Sequence, residues 1–220
     1  MIFKKEKIQR YKSEKKEWRV CLIPHEKNIV IIYEDTRYEA TIFTEEESAF
    51  VWGYLAATYP SKEMSLKQDL NHYYAVPKNN LEIKKEIMPD KQKLLRILQT
   101  SLKKINEKGG SLKKIGFGVL VSIVGLNNDV WAEKGIDFKE AFYKSFGSAK
   151  RKNPSYAPQI IYSSEDFNSQ QIEELVTLGF KVFLTRKGCS QMVIETAKRK
   201  NLILVGFVRN NRFSFFTNNK

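Results

Sequence analysis

The sequence predicts an α/β protein, with an open, partly parallel sheet and helices in its C-terminal part and a small β-rich lobe before it. Three observations carry this. From residue 117 onward, apolar runs of strand length alternate with helical stretches of about ten residues, as parallel strands joined by crossover helices require. Between residues 18 and 43, short β-branched and aromatic runs are separated by polar turns. The 220 residues are 42% apolar and 29% charged with 11 Gly and 6 Pro, which excludes bulk disorder and collagen-like structure and is enough to bury a core unaided.

Residues 1–19 come first, with eight Lys/Arg (Lys4, Lys5, Lys7, Arg10, Lys12, Lys15, Lys16, Arg19) against Glu6, Glu14 and Glu17, a net charge of +5. Little apolar periodicity accompanies them, so they are expected to form a basic, partly mobile arm. An α+β lobe over 20–77 follows. Its strands are 20–23, 29–33 and 38–43, the last two joined by the turn Glu34-Asp35-Thr36-Arg37 as a hairpin. Thr44 stands three residues ahead of Glu47, a capping-box spacing that opens a helix bearing Phe50, Val51, Tyr54 and Leu55 on one side. The lobe ends near Val76-Pro77. Residues 78–89, polar and containing Asn79-Asn80, are expected to be a linker.

Residues 90–220 form the α/β domain. Asp90 caps a helix with Leu94, Leu98, Leu102 and Ile105 at near-helical spacing, and Gly109-Gly110 stops it. Strands are expected at 117–126, 130–132, 160–162, 180–185, 202–208 and 213–216, and helices at 137–146, 168–178 and 190–200. Asn127-Asn128-Asp129 and Asn210-Asn211 supply the tight turns.

Lys plus Arg is 38 against 25 Asp plus Glu, a net charge of +13 that attracts anions: nucleic acid, an acidic surface or a phosphorylated small molecule. Eight of these cations and one acid, Glu107, fall within 91–114. That segment is either a docking face for an acidic partner or nucleic acid, or the solvated side of an amphipathic helix. No apolar run approaches the ~18 residues of a membrane span, and the charged start is unlike a secretory signal. Cys21 and Cys189 stand alone, so disulfide scaffolds, zinc ribbons and dithiol centres lack their ligands. A soluble, cytoplasmic protein is expected.

The most informative local stretch is Leu184-Thr185-Arg186-Lys187-Gly188-Cys189-Ser190, a strand end running into a helix start. Backbone N–H groups there, with Arg186 and Lys187 beside them and Gly188 and Ser190 shaping the turn, suit a phosphate. Ligands of open α/β sheets bind at the carboxyl ends of strands, where this loop lies. Cys189 shares the position. Two cations and a helix N-terminus would lower its pKa and favour a nucleophilic thiolate, whereas the plainer alternative is a small, partly buried neighbour of the helix cap.

Other chemistries lack their parts. His25 and His72 are the two histidines, and neither has the spaced ligands of a metal site. There is no Gly-x-Ser-x-Gly elbow, and neither Gly109-Gly110 nor Gly116-Phe117-Gly118 has the spacing that cradles nucleotide phosphates. The His-x-Glu and Pro-Cys-x-x-Cys elements of zinc deaminases are also absent.

The tail Leu204-Val205-Gly206-Phe207-Val208-Arg209-Asn210-Asn211-Arg212-Phe213-Ser214-Phe215-Phe216-Thr217 resembles the C-terminal signature of the formate dehydrogenase accessory sulfurtransferases, the FdhD family. Residues 164–208 are similar to that family's strand-helix-strand-helix-strand ending, 133–149 to its preceding helix, and 39–55, with Thr44 and Gly53-Tyr54-Leu55, to its first helix and the strand before it. The resemblance implies a cytidine-deaminase-like, three-layer C-terminal domain with a small β-rich N-terminal lobe, and a homodimer. It implies sulfur transfer from a cysteine desulfurase to the molybdenum cofactor of formate dehydrogenase or a related molybdoenzyme, and binding of that cofactor's guanine-dinucleotide form.

The chain departs from the family pattern at the positions that matter for that chemistry. The sulfur-carrying Cys-x-x-Cys loop corresponds to about 75–88, where this chain has no cysteine. The Gly-Arg-His-Asn element corresponds to Asp137-Phe138-Lys139-Glu140, Ser-Gly-Arg to Ser164-Glu165-Asp166, and Ser-Ala-Pro-Thr to Lys187-Gly188-Cys189-Ser190. Without the loop cysteines the family's persulfide relay lacks its carrier, leaving Cys189 as the candidate thiol. The reading is an accessory protein that binds a molybdenum-cofactor or guanine-nucleotide ligand and assists enzyme maturation. The alternative is a non-catalytic basic module for nucleic acid or an acidic protein.

Overall fold

The computed structural model describes residues 26–43, 46–81, 118–209 and 212–217 in full, the backbone of 3–12 and 15–24, and residues 96, 99, 100 and 103. Strands β1 (Phe3–Lys12) and β2 (Lys15–Pro24) pair as an antiparallel ladder that sets Arg10 opposite Glu17 and Lys4 opposite Ile23. The expected basic arm is thus a two-stranded ribbon. The expected strand 20–23 is the end of β2, and the charged residues before it pair through their backbones, which needs no apolar periodicity.

The next sheet has order β4-β3-β6-β5. β3 (Lys27–Tyr33) and β4 (Thr36–Ile42) form the expected hairpin. Its two turn residues, Glu34 and Asp35, have φ of 44° and 62°, the left-handed pair that matches the strands' twist. β5 (Lys62–Asp69) and β6 (His72–Asn80) form a second hairpin, and β6 runs parallel to β3. Residues 78–80 of the expected linker therefore extend β6, with Asn79 opposite Glu63. Residues 82–89 lie outside the described residues, as do the expected helix cap at Asp90, its apolar positions Leu94, Leu98, Leu102 and Ile105, and the Gly109-Gly110 stop.

Helix α1 (Glu47–Thr58) covers this sheet, burying Phe50, Val51 and Leu55 against Ile29, Ile31 and Tyr73. Thr44 lies outside the described residues. Glu47 does not serve a capping box. Its carboxylate turns into the lobe, pairing with Lys27 and accepting from the Tyr73 hydroxyl at 3.2 Å.

The second sheet has order β12-β11-β10-β9-β7-β8. β7 (Val119–Gly125) is antiparallel to both β8 (Val130–Gly135) and β9 (Pro158–Ser163). β9, β10 (Val182–Thr185) and β11 (Ile203–Arg209) run parallel, and β12 (Arg212–Thr217) returns antiparallel to β11. β7, β9 and β10 are buried along their whole length, which is why their sequences are near-continuous apolar runs. The molecule is a mixed α/β protein, as the alternation predicts.

Helices α2 (Phe138–Lys152), α3 (Ser169–Thr177) and α4 (Gln191–Arg199) follow β8, β9 and β10. Asp137 caps α2, accepting from Glu140 N at 2.8 Å, and Asn168 and Gln171 cap α3 reciprocally. Between these helices and the sheet lies the main core: Val121, Ile123, Phe142, Phe146, Ile161, Phe180, Phe183 and Leu204.

The two parts meet where α1 crosses α2. A Cβ on Gly53 would lie 1.7 Å from the Tyr143 carbonyl oxygen, and one on Gly147 would lie 1.8 Å from that of Ala49, so glycine lets the backbones touch. Buried charges flank the crossing. Glu140 accepts from Ile136 N at 2.9 Å and from Phe43 N at 3.4 Å, and Lys144 reaches Glu46 at 3.4 Å and the Lys134 carbonyl at 2.9 Å. No helix among the described residues is long and apolar enough to cross a membrane.

Candidate functional site

Because β9, β10 and β11 are parallel, their carboxyl ends share one edge of the sheet, where a ligand can meet several loops at once. Three segments converge there: 163–166 after β9, 185–190 after β10, and the bulge at 206–208 in β11.

Thr185 fastens the first two. It is fully buried, donates from Oγ1 to the Glu165 carbonyl at 2.8 Å and accepts from Lys187 N at 3.0 Å. Arg186 N donates to the Ser163 carbonyl at 3.1 Å, and Phe207 N to the Lys187 carbonyl at 3.0 Å. Ser164 ties the edge to β7, its Oγ accepting from Leu120 N at 2.9 Å. Gly206 is required by close approach, since a Cβ would sit 2.3 Å from the Phe216 ring and 3.0 Å from the Lys187 carbonyl. Next to it Phe207 holds φ at 53°, a costly conformation for an aromatic residue, with its ring half-exposed against Gly188.

All five predicted residues lie on this edge, in differing states. Arg186 is exposed, with no ion pair among the described residues, and its charge partly offsets the rise that burial imposes on the Tyr162 phenol. Lys187 is engaged with Glu165 at 3.1 Å. Gly188 admits the Phe207 ring. Ser190 caps α4, its Oγ accepting from Val193 N at 3.4 Å, so its hydroxyl serves the helix.

Cys189 departs from expectation. Its thiol is half-buried against the main core, and burial, reinforced by Asp166, pushes its pKa up to about 11. Burial and the Asp166 carboxylate both favour the neutral form, so at neutral pH this is a protonated thiol rather than a poised nucleophile. Lys187 is paired with Glu165 and Asp166 lies near Cys189, so the loop pair has no net formal charge and Arg186 is the cation left unpaired among the described residues. Glu165 and Phe207, and the fastening role of Thr185, are what the loop sequence did not reveal. Their roles come from strand order and a bulge.

His72 lies in β6, paired with Val30 and Asp69, and His25 is outside the described residues. Among the described residues no group of His, Cys, Asp and Glu could hold a metal ion.

No protein-family model matches the chain, and no curated protein matches it. Its fold is similar to a solved structure from Desulfotalea psychrophila, described provisionally as a formate dehydrogenase accessory protein. The TM-score is 0.77 at 13% identity, covering 99% of this chain and 98% of that one. At that identity the likeness is one of fold.

Proposed function

We propose that the chain is a divergent FdhD-like accessory protein with a cytidine-deaminase-like C-terminal domain. In this reading it works in the cytoplasm, as a homodimer, and holds a phosphorylated ligand of the guanine-nucleotide class at the 185–190 edge. The observation that carries the reading is the convergence of loops 163–166 and 185–190 on parallel strand ends, in a fold matched almost end to end by a protein described as a formate dehydrogenase accessory protein.

The residues fit the phosphate part of such a ligand: Arg186 supplies the unpaired cation and Thr185 fixes the loop that presents it. The molybdenum cofactor in its guanine-dinucleotide form would bring the redox metal, and this chain would bind and orient its phosphates. Sulfur transfer is doubtful in this reading, because the family's loop cysteines are absent and burial disfavours the thiolate of Cys189. In this reading the chain holds the ligand for a formate dehydrogenase or related molybdoenzyme, and the sulfur that a cysteine desulfurase supplies is carried by another thiol.

Calorimetric titration with GDP tests this. Saturable binding that Arg186→Gln weakens about tenfold is expected. No binding by the native protein, or binding indifferent to Arg186, refutes it. Incubation with a desulfurase and cysteine is expected to leave the protein mass unchanged; a persulfide on Cys189 would restore the sulfur-transfer reading.

A further inference from the structure

We propose that the cleft between α1, α2 and α3 is a second ligand site and that it takes a small aromatic ammonium ion. The cleft encloses about 500 Å³, the size of a small-molecule site, and shares no residue with the strand-end loops. It is walled by Ala57 and Thr58 at the end of α1, by Phe138, Phe142 and Tyr143 of α2, and by one face of α3.

Two independent features select the same sign of charge. Phe138 lines the cleft part-exposed, its ring stacked parallel over the buried Phe142 with centroids 6.0 Å apart at 2°, and an aromatic ring attracts cations. The rim carries Glu173 and Glu174. Glu173 is taken by Arg199 at 2.8 Å, but Glu174 accepts only from the Gln170 amide at 2.8 Å and pairs with no cation among the described residues. Lys139 is the one cation in the lining, and it is exposed to solvent.

Tyr143 adds direction. Its hydroxyl has no hydrogen-bond partner among the described residues. Burial, with Tyr38, Glu174 and other neighbours, pushes it up to about 12, so it remains an O–H donor. An aromatic ammonium ion would pack its ring against Phe138 and set its charge beside Glu174, with the phenol able to donate to a ligand heteroatom. In a chain of net charge +13, this pairing is a local exception.

Tryptamine and indole-3-propionate share a ring and differ in charge, so titrating the full chain with each by calorimetry is decisive. Tryptamine is expected to bind at least about tenfold tighter. Glu174→Gln, an exposed change that leaves the fold intact, is expected to weaken tryptamine about fivefold and spare indole-3-propionate. Arg186→Gln is expected to change neither, which separates this site from the strand-end edge. Equal affinity for both compounds, no saturation by tryptamine at about 10 mM, or an unchanged Glu174→Gln titration overturns the proposal.

Discussion

Replacing Gly147 by alanine puts a methyl group where two helix backbones touch. The new Cβ would lie 1.8 Å from the Ala49 carbonyl oxygen and 2.5 Å from Gly53 N, while ordinary contact begins at 3.4 Å. Neither neighbour is a side chain that can swing aside, so α1 and α2 must separate by about 1.6 Å. That opening strains the Glu140 bridge to Phe43 N, the Lys144 pair with Glu46 and the edge contact of Phe50 with Tyr143 at 5.4 Å. Overpacking of this kind costs about 3 kcal/mol or more, and the better helix propensity of alanine returns about 1 kcal/mol. The net loss is about 2–3 kcal/mol, a fall in Tm of roughly 5–10 °C. Urea denaturation followed by circular dichroism reads it directly. Gly188→Ala is the control, because its Cβ meets only the half-exposed Phe207 ring at 3.2 Å and should cost under about 1 kcal/mol. If Gly147→Ala is as stable as the parent, the lobes are not joined by backbone contact and the account of the crossing is wrong.

Thr185→Val keeps the shape but leaves the Glu165 carbonyl and Lys187 N without their partner, for a loss of about 1–3 kcal/mol in the denaturation midpoint; no change would mean that the loops are held otherwise. Burial lowers the Lys150 amine from 10.5 to about 8, although it donates to the Pro154 carbonyl at 3.1 Å. The folded state therefore binds fewer protons than the unfolded chain between about pH 8 and 10.5, and stability attributable to this group rises with pH there. Lys150→Met should gain about 1–2 kcal/mol at pH 7 and lose that advantage above about pH 10, and a pH-independent effect would contradict the desolvation argument. Cys189 should react with iodoacetamide about a hundredfold more slowly than a free thiol at pH 7.5, its rate climbing toward pH 11; alkylation as fast as that of glutathione would show an activated thiolate. Because this acid's pKa is raised on folding, its contribution to stability holds below about pH 8.5 and fades as pH rises toward 11.

Much of the fold was legible because it is written in short-range periodicity. Val119 through Gly125, Ile160 to Tyr162 and Val182 to Thr185 are apolar runs too short for helices, and each became a buried strand. The expected helix starts at 137 and 168 match α2 and α3, because the Asp137 and Asn168 side chains accept first-turn N–H groups without help from the rest of the chain. The opening ribbon was legible only at 20–23, the apolar end of β2. The polar residues of β1, of the start of β2 and of the end of β6 are paired through their backbones, and a backbone ladder leaves no apolar signature.

The candidate site divides the same way. Arg186 to Ser190 could be placed at a strand-to-helix junction from local pattern alone, and with it the helix cap and the cations. Its electrostatics could not. Glu165 reaches Lys187 because β9 and β10 are parallel neighbours, and Cys189 is desolvated because the main core lies beneath it. What the chain determines by itself is which segments form strands and helices, where they turn, and how much charge they carry, since these depend on residues a few positions apart. Strand order and the touching backbones at Gly53 and Gly147 decide which charges cancel, which thiol stays protonated and where a cleft is left open. Those are properties of distance in space and of excluded water, and neither is encoded by nearness along the chain.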